Sequence, residues 1–188
     1  MHPASPMIET RRVLLRPHRE GDGGPLYQAI AESLDELRLY PASLRWAMEE
    51  QSPVVSEAYC RTAVRRFAQK EEFAFLVCLK DSGTIVGSAG LLPRDTARGR
   101  LEIGWWGRTP YMGQGLMTEG VSALIEFAFE TLKARRLEAL PDDQNSRSCR
   151  MCERLGFTLE TVLQAERFDP AGRPRNTRIY SLQRLSNP

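Results

Sequence analysis

Histidine and cysteine are scarce in this chain of 188 residues, with two of the first and four of the second. His2 and His18 alone cannot build a histidine-rich metal centre. Cys60, Cys78, Cys149 and Cys152 are too few and too scattered for a disulfide framework. Cys149 and Cys152 form a C-x-x-C, but no second such pair and no His pair accompanies it. A zinc ribbon is therefore excluded, and the pair reads as free thiols on a helix. No run approaches the ~20 apolar residues that span a bilayer. The first ten or so residues lack the apolar stretch of a secretory signal. These absences lead to the expectation of a soluble, cytoplasmic protein with no membrane partner and no metal. An excess of one charge is lacking too, since 26 Lys plus Arg against 24 Asp plus Glu leaves +2. That excludes a histone-type nucleic-acid binder and an acidic tail protein.

What is present is the composition of an ordinary globular domain, 41% hydrophobic and 27% charged, able to bury a core without staples. The length suits a single domain over residues 1–188, with its core at about 8–185. Hydrophobic period and turn chemistry give the order of elements. Residues 13–16 are a short strand stopped by Pro17. Residues 22–33 are a helix with Leu26, Ala29 and Ile30 on one side, and 34–53 mix helical turns and loop. Ser56 is the expected N-cap of a helix reaching Lys70, with Tyr59, Ala63, Val64 and Phe67 as its apolar positions. Arg61, Arg65, Arg66 and Lys70 give that helix a wet basic face. Strands follow at 73–79, 85–92 and 100–106. A long amphipathic helix starts at Leu116 and reaches Leu132. A strand occupies 136–140, and a helix over 145–155 closes on Gly156. Strands at 157–168 and 175–184 form a terminal hairpin around Asp169-Pro170-Ala171-Gly172. The pattern is α+β: an antiparallel meander, a strand–helix–strand crossover, then a helix and a hairpin.

The chemistry concentrates in residues 102–120, E-I-G-W-W-G-R-T-P-Y-M-G-Q-G-L-M-T-E-G. A strand there feeds a glycine-containing turn that opens a helix. Gly113 and Gly115 permit backbone conformations that other residues resist, and they let the main chain approach a ligand. The first helical turn adds unpaired N–H groups and the positive end of the dipole, a setting for phosphate or pyrophosphate. An NTP-binding loop would need Lys and then Ser or Thr after the last glycine, where Leu116 and Met117 stand. A dinucleotide fingerprint would need glycine at Thr118 and a βαβ unit near the chain start. From the glycines alone, an anion-binding turn and a plain helix N-terminus with a flexible entry stay equally open.

The Ile-Gly-aromatic-Trp strand, the Pro-Tyr-x-Gly-x-Gly turn and the Thr-Glu that follows resemble the acetyl-CoA-binding motif of the GCN5-related N-acetyltransferases (GNAT). The most similar branch is the ribosomal-protein-alanine/serine group of RimJ/RimL type. The resemblance runs along most of the chain. It includes T-x-R-V-L-L-R-P near the start and Asn145-Ser146-Arg147-Ser148 followed by Leu155-Gly156-Phe157. Thr158-Leu159-Glu160 and Gln164-Ala165-Glu166 extend it. Each motif alone is modest, and their order and spacing make the match specific. Three positions depart from the family pattern. Met112 stands where an aromatic, Gln or Arg usually begins the loop, Met117 where a small residue is usual, and Gly107 where Leu usually precedes the loop.

The resemblance implies a GNAT fold, a mixed, mostly antiparallel sheet of about six or seven strands with about four helices. The sheet would splay into a V between the strand at 100–106 and the strand at 136–140. Acetyl-CoA would be the cosubstrate. Backbone groups of Trp105, Trp106 and Gly107 would pair with its pantetheine arm like an added strand. The main chain of Met112, Gly113, Gln114, Gly115, Leu116 and Met117 would hold its pyrophosphate. An N–H near Trp105 or Trp106 would face the thioester oxygen. Because the two tryptophans alternate, at least one is expected in the core. Asn145 would reach a pantetheine amide, or serve only as an N-cap. Ser148 would donate a hydrogen bond to the departing sulfur, which hardly needs an acid.

For the base that takes the amine proton, the resemblance points to Glu166. Glu102 competes, because other branches place a base on that strand, and either could be a solvated surface carboxylate. Glu119 is explained by helix-dipole compensation or N-terminal packing. Three functions follow: acetylation of a ribosomal-protein-type N-terminus or another protein, acetylation of a small amine such as a polyamine or aminoglycoside, or non-catalytic acyl-CoA binding. Asp35, Glu36, Glu49 and Glu50 keep the small amine open. No direct nucleic-acid readout is expected, and the chain is expected to be a monomer or homodimer.

Overall fold

Seven consecutive apolar residues, Phe73–Leu79, form a strand that is buried on both faces. A strand covered on both sides needs no polar alternation, which is why its sequence is a continuous apolar run. The computed structural model describes residues 6–40 and 43–184; His2 and Pro188 lie outside them. The described residues form eight strands: β1 (Ile8–Glu9), β2 (Val13–Pro17), β3 (Phe73–Leu79), β4 (Ile85–Asp95), β5 (Arg100–Gly107), β6 (Arg136–Ala139), β7 (Thr158–Phe168) and β8 (Pro174–Gln183). They make one mixed sheet in the order β1-β2-β3-β4-β5-β6-β8-β7. Five helices flank it: α1 (Gly23–Ala31), α2 (Leu34–Leu37), α3 (Pro53–Ala68), α4 (Leu116–Glu130) and α5 (Ser146–Arg154). The eighth strand and fifth helix, beyond the expected count, are two residues and one turn long, too short to leave a period in the sequence.

The alternation of β3 splits the interior in two. Phe73, Phe75 and Val77 join the larger core under α4 and α5, while Leu76 and Cys78 join a smaller one with Leu26, Ala29 and Ile30 of α1. Glycine lets α1 and α3 cross closely: a Cβ on Gly23 would sit 2.6 Å from the Cβ of Glu57. The Glu57 carboxylate accepts the N–H of Gly21 and of Gly23, both at 3.0 Å, and so caps α1 from the neighbouring helix.

The expected cap at Ser56 is corrected. Helix α3 starts one turn earlier, where extended Ser52 accepts the Val55 N–H at 3.2 Å and Pro53 takes the first helical position. Proline is favoured there because its missing N–H is not needed in the first turn. The buried face is accordingly Ser56, Cys60 and Ala63, while Tyr59 and Val64 are exposed. On the solvent face Arg61 pairs with Glu57 and Arg66 with Glu72.

The splay is set by register. β5 and β6 run parallel and pair only over Arg100–Glu102 against Arg136–Glu138. β5 continues, bonded to β4, as far as Gly107. From Ile103 to Gly107 its other edge has no strand partner among the described residues, which opens the expected V.

Candidate active site

Helix α4 opens on Gly115, whose φ of 75° is left-handed, and Gly113 has φ 76°. Only glycine takes such angles without strain. Among the described residues, none of the main-chain N–H groups from Gly113 to Thr118 has a hydrogen-bond acceptor. A run of free donors at the positive end of a helix is a ready anion cradle. Arg12 braces it, donating from Nη1 to the Gln114 carbonyl at 2.9 Å and from Nε to Glu119 at 2.7 Å. Glu119 also accepts from the Arg12 N–H at 2.7 Å and the Thr10 hydroxyl at 2.6 Å. Burial alone would raise the Glu119 carboxyl. These donors outweigh it and hold the group down at about 2. Glu119 is thus the packing residue it reads as, and it ties the start of β2 to the loop.

Two departures from the family pattern prove to be one. A Cβ on Gly107 would lie 3.1 Å from Met117 Cγ, and a Cβ on Gly87 would lie 2.6 Å from Met117 Sδ. The long Met117 side chain fills space that a leucine at position 107 would need.

A groove of about 530 Å³ runs along this loop. Trp105, Trp106, Gly107, Met112, Gly113, Gly115, Leu116, Met117, Asn145 and Ser148 all line it, so the structure brings nearly every expected cofactor residue together. Gln114 does not line it; its side chain turns back to the Pro110 carbonyl at 3.4 Å. Asn145 is the N-cap of α5, with Oδ1 accepting the Ser148 N–H at 3.0 Å, and this bond fixes both residues at the groove. Cys149 and Cys152 lie buried inside α5 as free thiols. Burial pushes Cys152 up to about 12.

A chamber of about 520 Å³ opens on the α1–α3 face of the sheet. Its floor is Ser88 to Leu92 of β4 with Glu102 and Gly104 of β5, and its walls include Trp46, Tyr59, His18 and Ser56. Trp105 and Trp106 line both the groove and the chamber. Trp105 packs on the larger core and Trp106 on the smaller one, so each tryptophan is part core and part wall. The Trp46 and Trp106 rings stand 6.1 Å apart, tilted at 53°. A smaller cavity of about 360 Å³ shares Glu102, Gly104 and Trp105 with the chamber and Trp105, Asn145 and Ser148 with the groove.

The two candidate bases separate here. Glu102 lines the chamber and the connecting cavity, and its carboxylate accepts from Arg94, with Nε at 2.8 Å. Glu166 lines none of the three cavities. It is exposed, accepts from the Thr177 hydroxyl at 2.7 Å and pairs with Arg167 at 3.0 Å. The structure thus sets the two carboxylates apart, with Glu102 at the cavities and Glu166 outside them. Between Leu163 and Arg167 the β7 register shifts, with Ala165 at φ 51° and its N–H on Asn176 Oδ1 at 3.0 Å. A bulge re-aims the residues it contains, and it is Arg167 that lines the connecting cavity, reaching Ser43 Oγ at 3.2 Å.

His18, Ser56, Tyr59, Trp46 and Arg167 line these cavities, and no sequence motif marked them. His18 is 3% exposed. Burial, helped by Arg16 and opposed by Asp22, lowers its imidazole to about 4. The folded chain thus holds it neutral while the unfolded chain takes up a proton near pH ~6.5. Stability falls as pH drops from about 6.5 towards 4, by about 3 kcal/mol from this group. Denaturant titrations across that window are expected to slope more steeply for the parent chain than for His18→Phe. Equal slopes contradict the assignment.

The family model for the acetyltransferase (GNAT) domain matches residues 12–158. The chain belongs to the GNAT acetyltransferases. Its fold is the GNAT fold. Among curated relatives it is 30% identical over 90 residues to the uncharacterized N-acetyltransferase p20 of Bacillus licheniformis. That match spans 48% of this chain and about half, 51%, of p20. Among solved structures it is 26% identical to a Vibrio cholerae protein described as a "putative ribosomal-protein-serine acetyltransferase", with TM-score 0.80 over 98% of this chain and 100% of that one. RimL, the ribosomal L7/L12 alpha-N-protein acetyltransferase in complex with coenzyme A, superposes with TM-score 0.86 over 95% and 98% at 18% identity, a likeness of fold.

Proposed function

We propose that the chain transfers acetyl from acetyl-CoA to a primary amine by direct attack, with both substrates bound at once. The observation that carries this is the pair of cavities meeting at Trp105 and Trp106, with Glu102 lining the chamber and the smaller cavity that links the two. When bound, acetyl-CoA supplies an activated acyl carbon whose oxygen gains negative charge under attack. The free N–H groups from Gly113 to Thr118 hold the pyrophosphate. The open β5 edge, Ile103 to Gly107, pairs with the pantetheine arm. A main-chain N–H of that edge meets the carbonyl oxygen. Glu102 takes the amine proton, directly or through water. An α-amine of pKa ~8 asks only for a modest base. The Ser148 hydroxyl donates to the departing sulfur. Ser148→Ala is expected to cost about 1–2 kcal/mol, roughly tenfold in kcat. A loss of several thousandfold contradicts so small a role.

Acetylation of a ribosomal-protein-type N-terminus is a second, finer reading, supported by the description of the Vibrio cholerae relative. Calorimetry with coenzyme A and acetyl-CoA, followed by thiol release with a panel of amines, tests the scheme. Heat on binding and amine-dependent thiol release are expected. No heat at millimolar coenzyme A removes the cofactor assignment.

A further inference from the structure

The turn before α4 has little of its own to hold its shape. Gly113 and Gly115 flank Gln114, with φ of 76° and 75°. A Cβ built on Gly113 would meet nothing within 4 Å, and one on Gly115 would meet only Arg12 Nη2, at 3.4 Å. The Gln114 side chain is exposed and reaches only the Pro110 carbonyl, at 3.4 Å. A peptide plane beside a glycine rotates through half a turn at small cost, because glycine accepts φ of either sign. The plane joining Gln114 to Gly115 therefore has two accessible orientations. One aims the Gly115 N–H at the groove. The other aims the Gln114 carbonyl there, and that oxygen repels a phosphate.

One distant side chain selects between them. Arg12 Nη1 donates to the Gln114 carbonyl at 2.9 Å. In a planar trans peptide the C=O and the N–H point opposite ways. An oxygen held towards Arg12 therefore sends the Gly115 N–H away from it. Gly115 lines the groove and Arg12 does not, so away from Arg12 is towards the groove. Arg12 is itself fixed from behind. Its Nε donates to Glu119 Oε2 and its main-chain N–H to Glu119 Oε1, both at 2.7 Å. The Thr10 hydroxyl adds a bond to Oε1 at 2.6 Å. This anchoring keeps the guanidinium from swinging round to a phosphate in the groove. Taking the turn as the pyrophosphate site, a step that rests on the reading above, we propose that Arg12 is a positioning residue for coenzyme A. It touches no part of the cofactor and acts by holding the Gln114–Gly115 peptide with its N–H inward. The cradle thus owes one of its donors to a residue 102 positions earlier in the chain.

The test titrates the full, isotope-labelled chain with coenzyme A, following the loop amides by proton–nitrogen NMR and the affinity by calorimetry. In the parent the Gly113 and Gly115 amide protons are both expected to move downfield as they meet phosphate oxygens. Arg12→Gln is expected to raise the Kd at least about tenfold, the loss of one charge-assisted hydrogen bond. At saturation its Gly115 signal is expected to stay in place while Gly113 still moves. Arg12→Lys keeps a cation within reach of the Gln114 carbonyl and is expected to restore the Gly115 shift and most of the affinity. Thr10→Val loosens the same corner but leaves the contact between Arg12 and Gln114 intact. Its melting temperature is expected to fall while its Kd stays at the parent value. A Kd that follows melting temperature through all three variants marks a merely structural role and overturns the proposal. So does a normal Gly115 shift in Arg12→Gln, which would make Arg12 a direct ligand. Should Arg12→Gln fail to fold, Gly115→Ala carries the test with Arg12 in place, because alanine favours the negative φ of the other orientation. It is expected to weaken coenzyme A to a similar degree, and an unchanged Kd overturns the proposal. If coenzyme A binds the parent and Arg12→Gln alike, this inference fails and the acetyl-transfer reading stands. If coenzyme A does not bind the parent, the earlier reading fails.

Discussion

Glu102→Gln is expected to lower kcat by about 100-fold or more, while Glu166→Gln stays within about threefold of the parent. The difference follows from where the two carboxylates stand. Glu102 projects from β5 into the chamber and lies three residues before Trp105, at the start of the open β5 edge. Arg94 holds it in one orientation through its Nε at 2.8 Å. Glutamine keeps the shape and the reach but loses the capacity to accept a proton and the charge that pairs with Arg94; neither residue lines the groove, so coenzyme A affinity should not change. Glu166 is spent on Thr177 and Arg167 outside the cavities. Steady-state rates with one fixed amine, together with calorimetry for coenzyme A, separate the two. A larger loss in Glu166→Gln than in Glu102→Gln means that the β7 bulge rearranges when substrate binds.

Much of this arrangement is legible in the residues themselves. The β3 run is bounded by its own apolar residues, and α5 announces itself through Asn145 at one end and Gly156 at the other, where φ is 85°. The loop glycines likewise report their backbone. What escapes is whatever depends on two distant segments meeting. Met117 and Gly107 look like separate departures in a string, and only their contact in space makes them one adjustment. Ser56 looks like a cap because serine is a good one; Pro53, four residues after Glu49, decides otherwise by taking the first helical position. The chamber draws on His18 just past β2, on α1 and α3, on a 3-10 turn at Arg45–Met48 and on β3, β4 and β5. No local pattern links those residues, so His18 and Ser56 read as ordinary. The Glu166 expectation rested on the resemblance alone, which carries no mark of the β7 bulge that re-aims residues 164–166. An alanine at positive φ carries no advance signal of the kind a glycine would give.

Asp142→Ala is expected to cost about 3–5 kcal/mol of stability. Asp142 is 2% exposed and grips Arg175 with both oxygens, at 2.8 and 2.9 Å. Fork-to-fork pairing of this kind is strong and directional. Removing the carboxylate leaves the Arg175 guanidinium, itself 13% exposed, without its counter-charge. The same aspartate accepts the Gln144 N–H through Oδ1 at 2.9 Å, and its carbonyl accepts the Asn145 N–H at 2.9 Å. Asp142 therefore also sets the entry to α5, from which Asn145 and Ser148 reach the groove. Asp142→Asn keeps one acceptor oxygen and the loop contacts, so its loss should be clearly smaller. Urea unfolding of both variants measures the difference, and coenzyme A affinity follows the positioning of α5. Equal midpoints for Asp142→Ala and the parent would show that water replaces the pair without penalty. A normal midpoint shift with unchanged coenzyme A affinity would leave the pair structural and detach it from the site.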